Sequence, residues 1–121
     1  MKRVLLVDDD LSGRQVLRAL LEREGYVCHE AENGVEALSL LNTLPVDLVI
    51  TDNAMPVMTG LQLLQSLHNT DRHQVPPAIL VTGNLSEQVH QAAVAAGACA
   101  VVGKPYSHQK LLSDISRILT P

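Results

Sequence analysis

Acidic side chains stand where two buried strands are predicted to end. The apolar run 3–7 stops at Asp8, Asp9 and Asp10, and a second aliphatic strand leads into Asp52. Because the carboxyl ends of parallel strands meet at one edge of a sheet, we expect these carboxylates to crowd into one crevice. Two like charges about 4 Å apart repel by about 4 kcal/mol at an effective dielectric near 20, so such a cluster either recruits a cation or raises a carboxylate pKa.

These acids and two further residues at strand ends indicate phosphoryl chemistry. An oxygen-only site that is completed by waters and phosphate oxygens favours Mg²⁺ over Ca²⁺, and Asp8 and Asp9 are suited to hold the ion. The Asp52 carboxylate can attack a phosphoryl group and form an acyl phosphate. Such a transfer also needs a cation and a hydroxyl on the remaining phosphoryl oxygens, and Lys104 and Thr82 supply them after the predicted fifth and fourth strands.

Hydrophobic periodicity predicts the elements that position these residues. Val16, Leu17, Leu20 and Leu21 mark the inner face of a first helix, with Asp10 as its N-cap. Five strands alternating with five helices predict an α/β fold with a doubly wound parallel sheet, in one domain over residues 1–121. The predicted strands are 3–7, 26–31, 46–51, 78–82 and 98–103, and the predicted helices are 11–24, about 33–42, about 61–67, 86–96 and about 111–119.

The composition argues against several classes of protein. Phe and Trp are absent and only two tyrosines occur, so a base-stacking platform for nucleic acid has no support. The net charge of −4 argues against direct DNA binding, which depends on basic residues. No run approaches the roughly 18 apolar residues of a membrane helix, and no signal peptide precedes the first strand. We therefore predict a cytoplasmic protein that contacts no membrane.

Four segments resemble the receiver domains of bacterial response regulators in two-component systems, including chemotaxis receivers, and the resemblance covers essentially the full chain. They are VLLVDDD (4–10), ITDNAMPVMTG (50–60), ILVTGN (79–84) and VGKPY (102–106). The resemblance implies a flavodoxin-like receiver fold with five helices and the strand order 2-1-3-4-5. It also implies a chain that catalyses only its own Mg²⁺-dependent phosphorylation and dephosphorylation and is not an enzyme for a separate substrate.

The resemblance assigns the phosphoacceptor and the metal ligands. Asp52 is implied to accept the phosphoryl group from a phosphohistidine of a histidine kinase or a histidine phosphotransfer protein. The implied ligands of Mg²⁺ are the carboxylates of Asp8, Asp9 and Asp52 and the backbone carbonyl of Ala54.

The resemblance also assigns the parts of a conformational switch. Thr82 is implied to follow the phosphoryl group and Lys104 to pair with it, and the bond before Pro105 is expected to be cis. Val101 departs from the family, because receivers commonly carry Tyr or Phe at this position, where the ring turns inward on activation. The signal is expected to leave through the surface of residues 86–119, toward an output domain or a partner protein.

The cysteines and histidines carry no predicted chemistry. Cys28 and Cys99 are interpreted as reduced, buried thiols, and the implied strand order puts them at opposite edges of the sheet, too far apart for a disulfide. Thr59, where an acid is common in receivers, is interpreted as a surface change. The histidines lack metal-ligand spacing and are predicted to be surface or strand residues, the last two as weak candidates for a partner surface: His29, His68, His73, His90 and His108.

Three alternatives compete with this interpretation, and the last of them stays open. A phosphatase that forms an aspartyl phosphate needs a second acid two residues after its nucleophile, but Ala54 stands there. A flavodoxin-like cofactor protein needs a phosphate-binding loop after the first strand, where this chain has three acids. A pseudo-receiver, acting as a protein-interaction module without phosphorylation, has Val101 in its favour and the intact acidic set against it.

Overall fold

The computed structural model describes residues 1–69 and 75–120 of the chain. Its elements follow one another as alternating strands and helices. They are β1 (Arg3–Val7), α1 (Leu11–Arg23), β2 (Val27–Ala31), α2 (Gly34–Thr43), β3 (Leu48–Asp52), α3 (Gly60–His68), β4 (Ala78–Thr82), α4 (Glu87–Ala95), β5 (Ala100–Gly103) and α5 (His108–Leu119).

The five strands form one parallel sheet in the order β2-β1-β3-β4-β5, as expected. Strands β3 and β4 are buried along their whole length, as central strands of a doubly wound sheet should be. Alternate side chains of each strand face opposite layers of helices. Leu5 and Val7 pack with α2, α3 and α4, whereas Val4 and Leu6 pack with α1 and α5. The carboxyl ends of all five strands consequently open on the same edge.

Polar side chains begin the helices at defined residues. Asp10, Asn33 and Ser86 each accept a hydrogen bond from an otherwise unpaired N–H group at the start of their helix, and the cap at Asp10 was predicted from the sequence. Thr59 begins α3 in a capping box with Gln62, so its role is to cap this helix and not simply to vary the surface. The pattern Thr-x-x-Gln was the available signal for it.

Some boundaries and one thiol differ from the predictions. Strand β3 starts at Leu48 instead of residue 46, because Asp47 turns its carboxylate to the Arg3 N–H at 2.7 Å. Cys99 is exposed, since it lies in the bend before the edge strand β5 and not within the strand. Cys28 is buried, and burial raises the pKa of its thiol to about 11. Both thiols are free, as predicted.

The histidines that the structure describes occupy the predicted kinds of position. His29 lies on β2 and is half-buried, while His68, His90 and His108 are exposed. His73 lies outside the described residues. Within the described ranges, no helix is both long and apolar enough to cross a lipid bilayer.

Candidate metal centre

Three carboxylates from two neighbouring strands converge at the carboxyl edge of the sheet. The pairing of Val7 with Thr51 brings Asp8 and Asp9, which follow β1, next to Asp52, the last residue of β3. One carboxylate oxygen from each of these three residues lies within 4.8 Å of the others. Asp52 is buried, Asp8 is half-buried and Asp9 is exposed, so the cluster is a crevice that opens to solvent.

This set of ligands fits a hard divalent cation. All the donors are oxygen atoms, the cluster is only partly exposed, and waters can approach from the side of Asp9. These are the conditions that Mg²⁺ prefers, since it keeps several waters and uses few carboxylates. Ala54 lies in the exposed loop two residues beyond Asp52, so its backbone carbonyl as a further ligand stays a prediction.

Lys104 provides the positive charge at this edge. Its Nζ lies 2.8 Å from Oδ1 of Asp52, which joins the residue after β5 to the end of β3. Burial alone lowers the pKa of Lys104, but the hydrogen bond to Asp52 and the charges of Asp52 and Asp8 outweigh it and raise that pKa. Lys104 is therefore a cation at neutral pH and partly neutralises the acidic cluster.

Thr82 ends β4 beside the cluster and is buried. Its Oγ1 accepts a hydrogen bond from the Asn84 N–H at 3.0 Å and lies 3.3 Å from the Asn84 carbonyl oxygen. The hydroxyl thus ties the strand end to the loop that leads into α4.

The two residues expected to shape a switch lie on either side of Lys104. The Lys104–Pro105 bond is cis, as expected. Val101 lies on β5, half-buried, and packs against the core layer that contains α4. Tyr106 instead lines a cavity of about 90 Å³ beside the acidic cluster, and burial raises the pKa of its hydroxyl.

The sequence interpretation missed Arg14, which lines the same cavity. Arg14 is buried with Leu21 on the inner face of α1, while Val16, predicted for that face, is exposed. Positions 14, 17 and 21 share one helical face, so the register of the apolar residues was the available signal. An arginine at such a position is easily overlooked, because hydropathy assigns it to the surface.

Without a bound cation, repulsion between the carboxylates and the burial of Asp8 should destabilise the ionised cluster. Burial raises the pKa of Asp8, and the charges of Asp52 and Asp9 raise it further, against the Asp10 N–H and Lys104. A carboxyl group whose pKa is higher in the folded than in the unfolded chain favours folding below its ordinary value of 3.8. That contribution is lost as the pH rises through the folded-state value.

We therefore expect Asp8→Asn to stabilise the chain in EDTA at neutral pH. The gain should be about 1 kcal/mol, because Lys104 and solvent offset most of the roughly 4 kcal/mol between close like charges. It should vanish below the ordinary pKa of 3.8. Urea unfolding in EDTA at both pH values measures it, with Asp9→Asn as the more exposed control. A metal-free variant less stable than the wild type at neutral pH would contradict this prediction.

Comparisons with known proteins agree with this geometry. Residues 4–116 match the family model of the response regulator receiver domain. The chain is 36% identical to the chemotaxis protein CheY of Halobacterium salinarum over 119 residues, which cover 98% of both proteins. It is equally identical to the transcriptional regulatory protein CpxR of Escherichia coli, but spans 50% of that longer protein.

A solved structure gives the same result. The response regulator TrrA of Thermotoga maritima, in complex with Mg²⁺-BeF, aligns with a TM-score of 0.87 at 32% identity, over 98% of this chain and 100% of that one. The sheet order, the convergent carboxylates and the family match lead to one conclusion. This chain belongs to the response regulator receiver domain family of two-component systems.

Proposed function

We propose that this chain is a phosphoacceptor: it takes a phosphoryl group onto Asp52 from a phosphohistidine of a histidine kinase or a histidine phosphotransfer protein. The reaction depends on Mg²⁺. The observation that carries the proposal is the convergence of Asp8, Asp9 and Asp52, whose oxygens lie within 4.8 Å, with Lys104 bound to Asp52. The T. maritima relative with Mg²⁺-BeF supports it, because a receiver of the same fold was solved with that ion and anion.

Each residue of the site has a separate role in the phosphoryl transfer. An oxygen of Asp52 attacks phosphorus while the P–N bond of the donor breaks, which leaves an acyl phosphate on Asp52 and imidazole on the donor. Asp8, Asp9, Asp52 and the Ala54 carbonyl would hold Mg²⁺, whose charge would offset that of the phosphoryl oxygens. Lys104 pairs with a phosphoryl oxygen. The chain serves its own phosphorylation and dephosphorylation and is not an enzyme for a separate substrate.

The negative charge of the phosphoryl group on Asp52 shifts an equilibrium between two conformations, and Thr82 transmits the change. Its hydroxyl now bonds to Asn84, and in turning toward the phosphoryl group it would release the Asn84 N–H and the loop before α4. Since Val101 replaces the usual aromatic residue, this loop is the proposed route. The surface of residues 86–119 then changes its affinity for a partner protein or output domain. The cytoplasmic location and the lack of direct nucleic-acid and membrane contact remain predictions.

Small phosphoryl donors test the proposal without a partner protein. We expect acetyl phosphate and phosphoramidate, which has the P–N bond of phosphohistidine, each to add one phosphoryl mass to the wild-type chain in the presence of Mg²⁺. Removal of the metal with EDTA should lower the labelling rate at least about a hundredfold, because the charge on the phosphoryl oxygens is then unopposed. Intact-mass spectrometry over time measures it. A folded chain that neither donor labels would instead be a pseudo-receiver.

A further inference from the structure

Arg14 is a buried cation next to the acidic cluster. Its residue exposure is 7%, and its side chain borders the cavity that Asp8, Asp52 and Lys104 also line. A buried charge costs several kcal/mol unless it is paired and hydrogen-bonded. A leucine or methionine on this face of α1 would avoid that cost. The guanidinium group therefore needs an explanation in terms of what it binds.

The guanidinium group binds two partners, one in the segment that follows β1 and one on β2. Its Nη1 donates a short hydrogen bond to the backbone carbonyl of Asp8, and its Nε donates to Oε1 of Glu30 on β2 at 3.0 Å. Glu30 also accepts from Arg18 at 2.7 Å. The hydrogen bond from Arg18, followed by that from Arg14, lowers the pKa of Glu30 below its ordinary value of 4.5. Because that ordinary value is already acidic, Glu30 is ionised at neutral pH even with Arg14 as its only cationic partner.

The carbonyl that Arg14 binds belongs to the peptide unit between Asp8 and Asp9. The Asp8 N–H donates to the Ala31 carbonyl at 3.1 Å, and the Asp10 N–H donates to Oδ1 of Asp8 at 3.0 Å. Arg14 adds a hydrogen bond to the carbonyl of the peptide that joins the two acids, and such a bond restrains rotation of the peptide plane. The orientation of one carboxylate relative to the other depends on that plane.

We propose that Arg14, held by Glu30, is a positioning residue for the metal-binding pair Asp8 and Asp9. Arg14 sets the peptide that joins the two ligands, and Glu30 cancels the positive charge that would otherwise repel the cation. This inference rests on the proposed function, because it assumes that the acidic cluster binds Mg²⁺. Arg14 touches no reacting atom, so it should govern metal affinity and not the transfer step at saturating metal.

Calorimetric titration with Mg²⁺ alone, on the full chain, tests the proposal. We expect Arg14→Met to weaken binding about tenfold or more, as loss of a residue that orients metal ligands commonly does. Glu30→Gln should weaken it less, because the peptide contact remains but the charge of Arg14 is no longer cancelled. Arg18→Met is the matched control: it removes the other Glu30 ion pair without touching the acidic segment, and it should change the affinity less than about twofold.

A second measurement separates positioning from a general structural role. At saturating Mg²⁺, Arg14→Met should label with acetyl phosphate at close to the wild-type rate, whereas a distorted site would stay slow. Wild-type Mg²⁺ affinity in Arg14→Met, or an equal loss in Arg18→Met, would overturn the proposal. If Arg14→Met is unfolded in EDTA, Arg14→Lys decides by the same titration: weaker binding supports the proposal and wild-type binding rejects it. A wild-type chain that binds no Mg²⁺ would refute the proposed function first.

Discussion

Asp52→Asn should abolish labelling of the chain by acetyl phosphate and phosphoramidate in the presence of Mg²⁺. The amide has no anionic oxygen to attack phosphorus, and it nearly preserves the shape of a residue that is buried at the end of β3. We expect a fall in initial rate of at least about a thousandfold, since loss of a covalent nucleophile commonly costs that much or more. Intact-mass spectrometry measures the rate, and peptide mapping locates the label in the wild type.

Asp47→Asn is the matched control for this substitution. Asp47 lies one residue before β3, at the opposite end of the same strand, where its carboxylate accepts from the Arg3 N–H. An asparagine oxygen can accept the same bond, so this variant should label like the wild type. Full labelling of Asp52→Asn would contradict the prediction and indicate that Asp8 or Asp9 is the acceptor, since these are the only other acids of the described cluster.

The architecture around Asp52 was predictable because its signals are local. Apolar runs that stop at acids identify strands and their ends, and a cap residue such as Asp10 identifies where a helix begins. Alternation of strands and helices then gives a doubly wound sheet. The order 2-1-3-4-5 required the resemblance to receivers, because local patterns say which residues form strands but not which strands pair.

The features that the sequence did not reveal depend on tertiary contacts. Arginine is usually a surface residue, and the hydrogen bonds to Glu30 and to the Asp8 carbonyl offset the cost of burying Arg14. Cys99 was expected inside, but the bend before β5 exposes it. The hydrogen bond from the Asn84 N–H to Thr82 could not be predicted either, because a hydroxyl beside a loop N–H has no signature in the sequence.

Lys104→Met should change two properties of the site in opposite directions. The ammonium group lies 2.8 Å from Asp52 and is proposed to pair with the phosphoryl oxygens during transfer. Without it, labelling by acetyl phosphate at saturating Mg²⁺ should slow by about a hundredfold, the usual cost of losing one charged or hydrogen-bonding group at a developing charge. Mg²⁺ itself should bind several-fold more tightly, because a cation that competes for the same carboxylates is gone.

Because the labelling rate and the Mg²⁺ affinity are expected to change in opposite directions, they distinguish an electrostatic effect of Lys104 from disruption of the fold. A distorted site would lose both metal affinity and labelling, whereas removal of one positive charge should raise the first and lower the second. Lys110→Met is the control: Lys110 is an exposed lysine on α5 that pairs only loosely with Asp114, at 3.5 Å, so both properties should stay near wild type. Calorimetric titration with Mg²⁺ and the mass-based labelling rate measure them. If the affinity and the rate fall together in a folded Lys104→Met variant, Lys104 supports the structure of the site and does not act on the phosphoryl group.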